Sequence, residues 1–514
     1  MRYVLLFFLL LTEGILPAAG QSPENLQFIR QGVRRFVFDE SHSIPLAALH
    51  PREAIGMNAM YPAKHHLSNH ARLQLDNNQL IISSGKETLT SVWFGGLNPF
   101  AVYTIDMAAR GEGTIGLEFS PEDQSISYRI LLDYRQHQVL DIREQVVQRG
   151  KVELDRSIAL KAKSAIPSKG KFLIQMLGSG LTVYWQDKGL PVPVAQAEFS
   201  QLIDLRKVEY IHSFQSKLYL HQKKGRVELN SVKSDLSSGI GQADIRAITY
   251  EDGSPLLDQG RLWYTMSIRG RALPHHIQGV FSLNPGSFDL RFEGVILFDR
   301  KDGIWRNEIA SHIFYDRRDN IWRGITTGFS AYALPGEKKQ LLAVESRKDP
   351  RFGFSVMDAY PFGVVGDIED PHILFDSTVN KWRILTCENI QGYKAIMLES
   401  DHWNKGYTRI AGPVAHNSTG TSIQQINGKR YCFSGSQDRK IYIYSYPELS
   451  EIGVLNMDLP PWDAGSGTRV WPNVVELPEG YPFRYVALMM DRYNYPGLEG
   501  PNWTYGALYL YHAR

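Results

Sequence analysis

Asp244, Glu308 and Asp370 open three similar segments in the C-terminal half of a 514-residue chain. Each precedes an apolar run, a turn and an aromatic-rich strand. Thr421 and Asn473 hold the matched place in two further segments. The five positions follow one another at intervals of roughly 50 to 65 residues, about the length of one propeller blade. The first strand of a blade lines the central channel, so this layout brings three distant carboxylates towards one axis. Carboxylates converging on a sugar-sized pocket are equipped to break glycosidic bonds. One group protonates the leaving oxygen while the other activates water, and inverting enzymes hold the two roughly 6.5–9.5 Å apart. The acid needs a raised pKa, which burial or a neighbouring carboxylate supplies.

The elements that would position these residues read as β throughout. Five blades fill residues 242–514, and no helical periodicity is evident there. Before them, Ser237-Ser238-Gly239-Ile240-Gly241 makes a small, flexible boundary. Residues 71–236 alternate with period two, which marks strands with one buried face. The strands are expected at Leu73–Ile82, Val102–Ala108, Ile115–Phe119, Ser127–Tyr134, Val139–Glu144, Phe172–Leu177, Leu181–Gln186, Val208–Phe214, Lys217–His221 and Val227–Val232. Short antiparallel strands of this kind predict a two-sheet jelly-roll sandwich. Residues 21–70 read as irregular. Residues 1–20 read as a signal peptide: Arg2, the apolar Val4 to Leu11, and small residues Ala18-Ala19-Gly20 before Gln21. Export to the periplasm or the extracellular space is therefore expected, with no transmembrane segment.

Composition narrows the function classes. Basic and acidic residues nearly balance, 56 against 54, so nucleic acid is not the expected partner. Aromatics make up 11%, which suits strand packing and also sugar stacking. Cys387 and Cys432 are too few, and lack the accompanying ligands, for a zinc centre. His50, His65, His66 and His70 show no metal-ligand spacing either. Asp316, Asp319 and Asp376 fall in strand-connecting turns, where Asp has a local role.

The blade-opening residues resemble those of the five-bladed propeller glycosidases, the glycoside hydrolase families 43, 117 and 32. Ala243-Asp244-Ile245 stands where family 43 has Ala-Asp-Pro. Asp370-Pro371 is similar to its Asp-Pro pair in blade three, and Phe375-Asp376 with Lys381-Trp382-Arg383 continues that blade. The chain departs from the pattern at blade four. Ser418-Thr419-Gly420-Thr421-Ser422 holds no carboxylate where the family opens with its acid Glu. The hairpin in KFLIQMLGSGLTVYWQDKGLPV resembles those of laminin-G and concanavalin-like sandwiches.

The resemblance implies an inverting glycoside hydrolase of complex, plant-type polysaccharide. Asp244 would be the base, and Asp370 would orient the sugar and tune the acid. Glu308 is the first candidate acid and His416 the second. Glu369, Arg269, His312, Arg469, Trp471 and Asn473 are expected to contact the carbohydrate substrate. No cofactor is required; the family allows a channel calcium, but no dedicated metal site is evident. Two other readings stay open. One is a carbohydrate-binding protein without catalysis. The other is a polysaccharide lyase using His275, His276 and Arg269 on a uronate.

Overall fold

The computed structural model describes residues 22–56, 66–67, 71–160, 166–270, 274–461, 470–498 and 506–514. The chain is almost entirely β. No helix among the described residues is long and apolar enough to cross a membrane. The expected signal peptide, and Arg469, His65 and His70, lie outside the described residues.

The described strands between Ile44 and Leu236 belong to one hydrogen-bonded sheet of 14 strands. Its spine is Val102–Ser120, paired along its length with Gln215–Leu236. One end of this ladder is flanked by Ile126–Arg135 and Thr88–Gly96. The other end is flanked by Lys169–Met176 and Gln79–Ser84. Midway, Gly111 faces Gly225. Both have positive φ, 102° and 134°. A Cβ on Gly225 would lie 2.1 Å from the Arg110 carbonyl oxygen. Only glycine permits two strands to bend against each other so closely.

The buried residues confirm the phase of the spine. Leu218 and Leu220, then Val227 and Leu229, then Val232 all face one core. That phase changes twice, at the register shifts between Gln222 and Lys224 and between Leu229 and Ser231. Each shift inserts a residue, which keeps the apolar face inward. Gly225→Ala should therefore cost about 3 kcal/mol or prevent folding. A urea melt with an unshifted midpoint would contradict this.

Three sequence expectations need correction. The paired segments Val102–Ala108 and Ile115–Phe119, and likewise Lys217–His221 and Val227–Val232, are each parts of one long strand. Their central glycines are bends, not turns. Leu73–Ile82 is a hairpin, Arg72–Asp76 and Gln79–Ser84, with Asn77 and Asn78 both at positive φ. Two such residues make the tight turn that suits strand twist. Val208–Ser213 is a helix; Tyr210 packs on Phe214 one turn on, their ring centroids 4.7 Å apart.

Among the described residues the C-terminal half forms four hydrogen-bonded sheets; the 11-stranded one has two antiparallel parts, here the first and second sheets, joined by a parallel ladder between Asp289–Asp299 and Gly353–Val365. The first holds Gly241–Ala247, Arg261–Arg269, His276–Asn284 and Asp289–Asp299. The second holds Ile309–Asp316, Ile321–Thr327, Gln340–Ser346 and Gly353–Val365. The third runs Ile368–Asp376, Lys381–Asn389, Tyr393–Ser400 and Thr408–Ala411. The fourth runs Thr419–Ile426, Lys429–Gly435, Ile441–Ser445 and Glu451–Val454. The fifth holds Val474–Glu476, Tyr485–Met490 and Ala507–Ala513, and is extended by Gln27–Arg35.

That last strand is regular structure inside the segment 21–70, expected from its sequence to be irregular. Its partner lies at the opposite end of the chain, so no local pattern announces it. Apolar cores join the sheets in succession. Trp263, Ile296, Ile313 and Trp322 bridge the first and second. Phe314, Ile325, Ile373 and Trp382 bridge the second and third. Leu374, Leu385, Ile423 and Cys432 bridge the third and fourth. Phe433 and Ile443 meet Tyr485 and Tyr509, and Val486 and Leu510 meet Ile245 and Met266.

Candidate functional site

The first strands of four sheets share one irregularity. Register shifts fall between Ala243 and Arg246, Ile309 and His312, Glu369 and His372, and Thr419 and Ser422. Inside each lies a left-handed residue: Asp244 (φ 53°), Ala310 (55°), Asp370 (61°) and Gly420 (62°). Asp and Gly adopt this conformation readily, whereas Ala pays about 1 kcal/mol for it. The bulge therefore sets the true equivalence. Asp244 and Asp370 are matched as the sequence pattern has them. Glu308 and Thr421 are not: the equivalent residues are Ala310 and Gly420. The residues just beyond the bulges also match, namely Arg246, His312, His372 and Ser422. A polar or basic residue two places after the bulge was the signal in sequence.

Asp244 and Arg269 form a buried ion pair, with Nη2 donating to Oδ2 at 2.8 Å. Arg269 ends the second strand of the first sheet. Its Nε and Nη1 are buried and have no protein partner. Asp370 is buried, and its Oδ2 accepts from the Gly420 N–H at 2.8 Å. Burial, followed by the nearby Glu369 and Asp244 carboxylates, pushes the Asp370 carboxyl up to about 8. The Gly420 N–H and Arg246 oppose this incompletely. Desolvation and like charge here exceed one hydrogen bond and one cation.

Arg246, His372 and His312 form a basic group next to Asp370. Arg246 donates to the carbonyl oxygens of Thr421 (2.7 Å) and Asp370 (3.3 Å). Its Nη1 also lies 3.3 Å from His372 Nδ1. Burial lowers the guanidinium to about 10. The His372 and His312 rings are 4.0 Å apart. His312 Nδ1 accepts from the Ile373 N–H at 3.1 Å, and its Nε2 lies 3.1 Å from Thr249 Oγ1. Burial and the charge of Arg246 hold both imidazoles well below their ordinary range, hence neutral.

The other candidates are dispersed. Glu308 is fully buried, and Ser330 occupies both its oxygens through its N–H and hydroxyl. Burial raises its carboxyl above the usual range. Ser330→Ala should strand one carboxylate oxygen and cost about 2 kcal/mol, read as a lower urea midpoint. His416 stacks on Tyr442, centroids 3.8 Å apart, with Nε2 3.1 Å from Glu451. Trp471 is buried, and its Nε1 donates to the Ile245 carbonyl at 2.6 Å. A Cβ on Gly420 would lie 2.6 Å from this ring. The Trp471 ring thus fills the space that a fourth-sheet carboxylate at this bulge would need. Asn473 donates to the Leu488 carbonyl at 3.4 Å.

Glu369 binds Lys339 at 2.5 Å. With Asp370 and Cys387 it forms a group whose ligand atoms lie within 4.8 Å of one another. A thiol in that set does not suit calcium, which takes oxygen ligands, and Lys339 already neutralises Glu369.

No protein-family model matches the chain, and no curated protein sequence matches it. Solved structures similar to it include a GH43_1 enzyme from Xanthomonas citri, 12% identical over 53% of this chain and 87% of that one, TM-score 0.38. Another is the catalytic domain of a Coprinopsis cinerea GH62 alpha-L-arabinofuranosidase, 10% identical over 53% and 91%, TM-score 0.36. A third is a mutant levansucrase from B. subtilis, 12% identical over 53% and 86%, TM-score 0.37. At these scores the likeness decides neither fold nor activity.

Proposed function

We propose that this chain is an exported glycoside hydrolase of complex, plant-type polysaccharide or oligosaccharide. Its first to fifth sheets are the blades of a propeller over residues 242–514, beside a concanavalin-like sandwich over residues 71–236. The observation that carries this reading is Asp244 and Asp370 at matched left-handed bulges of two blades, close enough for one charge to perturb the other. Two carboxyl groups whose environments differ divide the roles of acid and base. Asp244, ion-paired to Arg269, is the general base that takes a proton from the attacking water. Asp370 retains its proton near neutral pH and is the better placed donor to the leaving oxygen. Glu308 is a less suitable acid, because Ser330 occupies both its oxygens. Water attack from the face opposite the leaving group inverts the anomeric carbon.

A second reading keeps the sugar site without the reaction. The absence of a carboxylate at Gly420, where the resembled family opens blade four with its acid, favours it. Incubation of the mature chain and Asp244→Asn with plant glycans separates the two. Released reducing ends, lost in the variant, support hydrolysis. Binding without release supports capture alone. An unsaturated, ultraviolet-absorbing product means a lyase and removes these residue roles.

A further inference from the structure

The turn after the second strand of the second sheet packs on Lys339, which binds Glu369 beside Asp370. Residues Phe329–Ala333 form one 3-10 turn. Its Ser330 clamps Glu308, which anchors the turn to the first strand of the same sheet. Phe329 is buried, between the His276 ring at 5.9 Å and the Lys339 ammonium at 4.8 Å. Tyr332 lies nearly parallel to Phe329, centroids 6.1 Å apart with 27° between the planes. Tyr332 itself is 56% exposed.

Beside it lies a polar cluster that leads inward. Lys339 Nζ donates to Asp367 (2.9 Å), Glu369 (2.5 Å) and the Tyr393 hydroxyl (3.1 Å). Tyr393 in turn donates to Asp367 at 2.6 Å. Asp367 is about half exposed, whereas Glu369 is mostly covered. Glu369 adjoins Asp370 in sequence, and their carboxylate oxygens lie within 4.8 Å. A chain of contacts thus runs from the half-exposed Asp367 through Lys339 and Glu369 to Asp370.

A sugar ring presents those two surfaces. Its C–H face is apolar and packs on an aromatic plane, while its hydroxyls seek carboxylates and ammonium groups at the ring edge. A rigid aromatic with few torsions offers such contact at low entropic cost. Trp471 does not supply it, being buried under Arg246 and Gly420. We infer that Tyr332 is the stacking platform of an outer sugar subsite, with the half-exposed Asp367 carboxylate as its hydroxyl partner. The substrate is then an oligosaccharide that extends beyond the two sugars flanking the cleaved bond. This rests on the glycoside-hydrolase reading above.

The test is calorimetric titration of the full mature chain with size-fractionated tri- to hexasaccharides from plant cell-wall polysaccharide. Wild type is compared with Tyr332→Ala, Tyr332→Phe and Tyr332→Trp. Tyr332→Ala should weaken binding roughly tenfold. Phe and Trp should stay within about twofold of wild type, since every aromatic face can stack. Because the ring is exposed, Tyr332→Ala should melt with wild type, which separates binding from folding. In turnover it should raise KM for the oligosaccharide and leave kcat unchanged. Wild-type affinity in Tyr332→Ala, with hydrolysis intact, overturns the subsite and leaves the hydrolase. No binding of any fraction by wild type overturns both.

Discussion

Asp244→Asn should abolish product release, lowering kcat by about 10³-fold, the usual contribution of a positioned acid or base. The amide is nearly isosteric, and its oxygen can still accept from Arg269 Nη2, which now meets Oδ2 at 2.8 Å. It cannot take a proton from water. Arg269 then becomes a buried cation without a counter-charge. Removing one partner of a buried pair costs about 3 kcal/mol or more, and the retained hydrogen bond offsets part of that. The variant should therefore fold, melt lower than wild type and bind glycan without cleaving it. Reducing-end assays and glycan titration on the same preparation check both parts. Undiminished turnover would remove Asp244 from the mechanism.

Asp370→Asn should flatten the dependence of stability on pH. In the unfolded chain an aspartate titrates near its ordinary 3.8, whereas in the fold Asp370 keeps its proton up to about 8. Between those values the folded state binds the extra proton, so stability falls as pH rises. The contribution is fully present below about pH 4 and is lost as pH passes about 8. Its size is on the order of a few kcal/mol. Asparagine carries no charge at either end, and its oxygen can still accept the Gly420 N–H. The variant should melt several degrees above wild type at pH 8 and near or below it at pH 4. Its turnover should drop at least a hundredfold, because the donor is gone. Parallel melting curves for both proteins across this range would contradict the placement of the proton on Asp370.

These effects depend on two aspartates that were legible in the sequence and on surroundings that were not. Asp244 and Asp370 stand out because each opens a segment whose period-two pattern and aromatic strand are local signals. The third carboxylate illustrates the limit. Glu308 lies two residues before the bulge that defines the matched position, and that position is held by Ala310. A two-residue slip along a strand moves a side chain away from the bulge, and sequence spacing alone does not resolve it. The fourth sheet differs for a packing reason: Trp471, far along the chain, fills the space beside Gly420.

By itself the sequence determined an almost all-β chain, a run of recurring units in its second half, and the two aspartates at matched places. Alternation, turn residues and strand-forming aromatics act over a few residues, so one segment suffices to read them. The tertiary structure decided the rest. It paired Gln27–Arg35 with Ala507–Ala513, turned Val208–Ser213 into a helix and bent two long strands at Gly111 and Gly225. It also set Arg269 on Asp244, the His312 and His372 rings side by side, and Tyr332 against Phe329. Each of these rests on contacts between distant segments, where register, burial and the field of neighbouring charges arise only once the chain has closed on itself.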